Sequence, residues 1–196
     1  MRGLLFVGAL AISAMVAGTS SAATLGLTSE APILSSSTAF IDFFDLDPDG
    51  DLSAFGAEVD TTDGVSTVGF TEIGFGFGYS LSDPSGDFSG GFDVFDEDGE
   101  FLAGELLAVG FTEDLIELQF GNLGGAGAGV FGSSVLIMIS FDDSLGPNPF
   151  SAFVDGDVLG ASISIASVAP IPLPAGLPLL LTGIGGIALL RRRGKA

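Results

Sequence analysis

The sequence contains no histidine, no cysteine and no tryptophan, and it has a single tyrosine, Tyr79. Without His or Cys there is no imidazole base, no Ser-His-Asp relay and no thiol nucleophile. Disulfides and thiolate metal sites are excluded with the cysteines. Cations are almost as scarce: the five basic residues are Arg2 at one end and Arg191, Arg192, Arg193 and Lys195 at the other. Residues 24–169 carry none, while all 25 acidic residues lie between Glu30 and Asp157. A surface with no cation has nothing to neutralise phosphates, which excludes nucleic acid as a partner. It also lacks the clamp that phosphoryl transfer needs and any attraction to anionic lipid. With no internal ion pair available, the carboxylates repel one another, and divalent cations are their natural partners.

What is present argues for a packed domain rather than a disordered acidic chain. Eighteen phenylalanines and a 47% hydrophobic content supply a core, and 31 glycines punctuate it. At 196 residues the chain has room for one domain plus targeting segments.

The two ends read as such segments. Residues 1–23 fit a signal peptide: Arg2 gives a positive start, an apolar run follows, and Ser21-Ala22-Ala23 offers a small-x-small site with cleavage between Ala23 and Thr24. Residues 173–190 hold no charge and one hydroxyl, Thr182. As a helix they would be about 27 Å long, close to the hydrocarbon thickness of a bilayer. Arg191, Arg192, Arg193 and Lys195 follow, a basic stop-transfer cluster expected on the cytoplasmic side.

The motif Pro170-Ile171-Pro172-Leu173-Pro174-Ala175, the apolar span and the basic tip together resemble the VPLPA-CTERM sorting signal of the PEP-CTERM group. Ile171 stands where Val is usual. The resemblance covers only residues 170–196. It implies processing by an exosortase-type membrane enzyme and a destination at the cell surface or in an extracellular matrix. Prolines 170, 172 and 174 favour an extended backbone, which would hold the motif open to such an enzyme.

Between the ends, residues 24–169 read as all-β, an antiparallel two-sheet sandwich or jelly roll. Expected strands cover 39–44, 65–70, 74–80, 91–95, 100–109, 115–120, 135–141, 151–154 and 158–168. Asp-Gly pairs at 49–50, 63–64 and 98–99 suit tight turns. The alternation in Phe75-Gly76-Phe77-Gly78-Tyr79 predicts bulky side chains on one face, and the Gly/Ala-rich residues 121–132 predict a loop.

One motif has the spacing of a metal site. Asp45, Asp47, Asp49 and Asp51 place carboxylates at alternate positions, with Gly50 where an EF-hand loop needs its sharp turn. Position 12 of that template is Gly56 instead of Glu, so the motif is no EF-hand. A looser calcium loop and a solvated acidic turn are the two readings. The second acidic run, Asp93 to Glu100, reads first as a hairpin turn.

These features predict a protein that is not an enzyme. It would be exported through the Sec machinery, trimmed by signal peptidase and held in the membrane with its C-terminus cytoplasmic until sorted to the surface. Its role would be structural or interactive, through calcium or another divalent cation and acidic polysaccharide. Two other readings are a carbohydrate-binding or adhesive module and, further off, a hydrolase working with carboxylates alone.

Overall fold

The computed structural model describes residues 24–169. The signal peptide, the sorting motif, the apolar span and the basic tip lie outside the described residues. Nine strands follow one another: β1 (Ser29–Asp45), β2 (Asp49–Glu58), β3 (Thr61–Asp63), β4 (Glu72–Ser80), β5 (Asp83–Asp96), β6 (Gly99–Phe111), β7 (Leu115–Gly124), β8 (Ser134–Phe141) and β9 (Val158–Val168). A single helical turn, α1 (Ala128–Phe131), precedes β8, and a 3-10 turn (Pro149–Ser151) precedes β9. No helix among the described residues is long and apolar enough to cross a membrane.

The all-β antiparallel expectation is met, but the strands do not divide into two sheets. Neighbours in sequence pair in turn from β4 to β9, β9 returns to β1, and β1 also pairs with β2, which pairs with β4. The result is one closed eight-stranded barrel, with β3 added beside the first half of β1. Closure removes the open edges that each sheet of a sandwich leaves to be protected. The 17-residue β1 makes it possible. Its first part runs along β9 from Ser29↔Val168, and its last residues pair with β2 from Asp42↔Ser53 to Asp45↔Gly50. Bulges after Glu30 and after Ser36 let this long strand turn with the wall.

Period-two patterning fills the interior. On β4, Ile73, Phe75, Phe77 and Tyr79 all point inward and are at most 2% exposed, while glycines alternate on the outside. Val135, Ile137, Ile139 and Phe141 of β8 point inward from the opposite wall and are all buried. An eight-stranded barrel is just wide enough to be filled by its own side chains. At roughly 25 cal/mol per Å² of apolar surface removed from water, this packing drives the fold. Facing residues share the space by size: Gly50 lies opposite Tyr79, Ala54 opposite Phe75, and Ala57 opposite Ile73.

Two expected strands are not strands. Residues 65–70 pair with no strand among the described residues; Gly64 just before them and Gly69 within them both take positive φ, and the segment leans on the β5–β6 turn. There the Val68 N–H donates to Asp96 Oδ2 at 3.1 Å, and the Glu97 N–H donates to the Val68 carbonyl at 3.0 Å. Residues 151–154 begin in the 3-10 turn, where Asn148 Oδ1 accepts from the Phe150 N–H at 3.1 Å. That turn brings Phe150 and Phe153 round to the same side, into the barrel. The 121–132 tract is a loop only in part, since β7 runs on to Gly124 and α1 occupies 128–131.

The barrel's two ends differ in what they carry. Both described termini lie at one end, together with the 59–71, 97–98 and 125–133 connections; this is the terminal end. At the other, the loop end, lie connections 46–48, 81–82, 112–114 and 142–157.

Candidate functional site at the loop end

The Asp45–Asp51 motif forms the β1–β2 hairpin at the loop end. The Asp45 Oδ1 accepts from the Asp47 N–H at 3.0 Å, and the Leu46 N–H donates to the Asp49 carbonyl at 2.8 Å. The Asp45 N–H donates in turn to Asp155 Oδ1 at 3.1 Å, tying the hairpin to the 142–157 loop. A carboxylate that accepts from backbone amides in this way acts as a turn-former. Asp47 is exposed in the turn, and Asp49 and Asp51 follow on the outer face of β2. The four aspartates do not converge. Among the described residues, no group of three or more Asp or Glu side chains is placed to hold a metal ion.

Gly50 is required for a reason other than the one its motif suggests. Gly64 and Gly99 of the other Asp-Gly pairs do take positive φ, at +69° and +120°, but Gly50 does not. It faces inward, and a Cβ there would stand 2.8 Å from Tyr79 Cζ and 3.0 Å from both Phe43 and Leu81. The glycine makes room for the tyrosine ring.

Tyr79 itself is a strand residue of the core, 2% exposed. Its ring lies 4.7 Å from Phe150 in an edge contact and 5.4 Å from Phe77. Its hydroxyl is buried and has no hydrogen-bond partner among the described residues. Burial, and then the negative charges of Asp51 and Asp45, push the phenol well above its ordinary value, so it stays protonated as a donor. Beside it an open cleft of about 290 Å³ is lined by Leu46, Asp49, Gly50, Asp87, Phe88 and Ser89. Asp51, on the outer wall nearby, is raised by burial.

The cleft brings together an orphan phenol, two carboxylates and one aromatic ring. Its accessible polar groups are the Asp49 and Asp87 carboxylates and the Ser80 and Ser89 hydroxyls, while the phenol O–H lies buried behind them. Phe77 and Tyr79 are both inside the barrel, so neither presents a face on which a sugar could stack. The most exposed aromatic rings lie outside the cleft: Phe40 and Phe44 on β1 and Phe55 on β2 at 63%, 49% and 78%, with Phe70 and Phe95 also exposed. The second acidic run is a hairpin: Asp96 pairs with Gly99, and the Asp98 N–H donates to Asp96 Oδ1 at 2.9 Å. On β5, Asp93 is raised by burial and then by the charge of Glu100.

One buried charge escaped the sequence reading. Glu117 points outward from β7, between the inward Ile116 and Leu118, yet it is only 7% exposed. Its Oε2 accepts from the Leu25 N–H at 2.6 Å. Register alone puts Glu117 on the outer face; nothing in the local sequence says that residues 24–28 fold back over it.

No protein-family model, no curated protein and no solved structure matches the chain.

Proposed function

We propose that the chain is an exported protein sorted through the membrane to the cell surface or an extracellular matrix, where its barrel has a structural or interaction role. The reading rests first on the segregation of charge: 25 carboxylates and no cation in residues 24–169, and every basic residue at the two extremes of the chain. The pairing of Ser29 with Val168 supports it, because both targeting segments would then join the barrel at one end. In this reading the terminal end faces the membrane while the tail is held there, and the loop end faces away. An exosortase-type enzyme would process the motif at residues 170–175.

Divalent cations such as calcium are the partners of the barrel in this proposal, held by the summed field of its carboxylates rather than by one coordinated centre. The scattered placement of Asp45, Asp47, Asp49 and Asp51 favours that form of binding. Through such ions the surface would adhere to acidic polysaccharide, and the exposed Phe40, Phe44 and Phe55 add an apolar contact area beside it.

The experiment is thermal melting at low salt with millimolar calcium and with the same ionic strength of sodium. Calcium should raise the midpoint by a few degrees, since a ligand that prefers the folded state stabilises it by mass action. An equal midpoint in both salts would remove the cation from the proposal. Mass spectrometry of the protein recovered from the cell surface tests the sorting: an intact tail on the surface form would sink it.

A further inference from the structure

Residues 24–28 leave β1 at the terminal end and must cross the outside of β9 and β8 to reach Glu117 on β7. They are tied at both points, by the Thr28 carbonyl accepting from the Ala169 N–H at 2.9 Å and by the Leu25 N–H donating to Glu117 Oε2. Leu136 and Ala166, a register pair on β8 and β9 beneath this path, are 1% and 0% exposed. Glu117 is thus a carboxylate taken out of water whose described partner is one neutral amide. A buried carboxylate with so few donors is costly, and the mature stretch contains no Lys, Arg or His to pair with it.

One cation can be made there. Successive backbone nitrogens are about 3 Å apart, so the nitrogen of Thr24 lies within about 6 Å of Glu117 Oε2. We propose that Glu117 is the receptor for a processed N-terminus: cleavage between Ala23 and Thr24 creates an α-ammonium that pairs with the Glu117 carboxylate and fastens residues 24–28 across β7, β8 and β9. The step is a peptide hydrolysis by signal peptidase. Water adds across the C–N bond, Ala23 leaves with a carboxylate, and the Thr24 nitrogen becomes an ammonium. A neutral amide before cleavage becomes the only cation of residues 24–169 after it, so folding over β7 is strengthened by export itself. The inference rests on the export reading of the previous subsection.

The test uses the full chain expressed in an exporting bacterium and recovered after processing. Its N-terminal residue is read by mass spectrometry. The α-amine is then acetylated near neutral pH in denaturant, where the pairing is absent, and the protein is refolded. Under those conditions the α-amine reacts ahead of Lys195, the only lysine, because it is the less basic amine. Acetylation removes the charge and leaves the chain intact. The expected result is a Thr24 N-terminus, a melting midpoint lowered by about 5 °C on acetylation, and no such shift in Glu117→Gln. Glu117→Asp, which keeps the charge but shortens its reach, should show a smaller shift and serves if the amide variant does not fold. A Thr24 N-terminus with no shift on acetylation, or with equal shifts in wild type and variant, overturns the pairing while leaving the export reading intact. An N-terminus at any other residue overturns the cleavage site and the pairing together.

Discussion

The two ends of the barrel are closed by different physics. At the loop end, residues 142–157 fold inward and place Phe150 among four other rings: Tyr79 at 4.7 Å, Phe111 at 5.3 Å, Phe153 at 6.0 Å and Phe77 at 6.3 Å. Three of these contacts are near-perpendicular edge packings, an arrangement that adds to the burial of the ring. At the terminal end Phe131 of α1 is the plug, and polar bonds hold its segment. The Ser167 Oγ donates to the Phe131 carbonyl at 2.7 Å, and the Gly127 N–H donates to the Phe101 carbonyl at 2.7 Å. With no Lys, Arg or His in residues 24–169, no side-chain salt bridge within them staples either end. Both ends have hydrogen bonds; the loop end adds an aromatic cluster to them, whereas at the terminal end a single ring is held by them.

Truncating each plug tests that contrast and should give the largest effects. Phe150→Ala removes contacts with four rings and leaves a cavity at the centre of the loop end, costing about 3–5 kcal/mol. For a domain of this size the midpoint would fall by roughly 10–15 °C. Phe131→Ala should cost about 3 kcal/mol, the low end of the same range, because its ring is buried but packs against no other ring among the described residues. Denaturant melts of the two variants decide it. If Phe131→Ala proves the more damaging, the division between aromatic and polar closure is wrong.

Sequence reading served the walls of the barrel better than its closure. The expected bounds of β9 and nearly those of β4 and β8 could be read, because their inward positions carry large side chains at period two. β2 was invisible because its inward residues are Gly50, Leu52, Ala54 and Ala57, small where β4 is large, and a bulge after Ala54 breaks the alternation. The first half of β1 hid in a polar run, Ser35 to Thr38, that a bulge accommodates. Without those two strands a closed ring is not inferable, and two sheets are the natural reading of what remains. At the loop end the Asp45–Asp51 motif was visible in the sequence, but the cleft was not. Its spacing left a calcium loop and an acidic turn both open; in the structure Asp45 accepts from the Asp47 N–H and Gly50 makes room for Tyr79.

The carboxylates provide a second, smaller test, now across both ends. Asp51 at the loop end and Asp93 on β5 bind their protons more tightly in the folded state, since burial raises both above 3.8. Their contribution to stability is therefore complete below 3.8 and is lost as pH rises through their raised folded values. Asp60, beyond β2 at the terminal end, is the reverse. The Ser37 hydroxyl and then the Ser37 N–H donate to it and lower it, so its contribution is present above 3.8 and is lost as pH falls through its lowered value. Mutual repulsion among the 25 acids acts in the same direction as Asp51 and Asp93. The melting midpoint should rise by a few degrees from about pH 7 to about pH 4.5 and fall again in stronger acid. Asp51→Asn should flatten part of the rise. A midpoint that falls steadily below pH 7 would mean that favourable contacts of the ionised acids outweigh their burial and repulsion.

The smallest expected effect bears most directly on the loop end as a site. Removing the Tyr79 hydroxyl in Tyr79→Phe keeps the ring contacts with Phe77 and Phe150 and deletes a buried donor with no partner among the described residues. A polar group left unpaired away from water costs about 1–3 kcal/mol, so its loss should leave stability unchanged or raise it by up to about 1 kcal/mol. The measurement is the denaturant midpoint of the variant at fixed pH and salt. A loss of more than about 1 kcal/mol would mean that the hydroxyl is satisfied by something the described residues do not provide. The cleft beside Asp49 and Asp87 is where that partner would sit. Repeating the comparison with millimolar calcium then separates the cases: a loss that appears only with the ion would tie the phenol to a cation and its water, and a loss in both conditions would point to water alone. In either outcome the orphan donor would no longer be a by-product of filling a barrel with rings, and the loop end would carry a binding function that its dispersed aspartates do not explain.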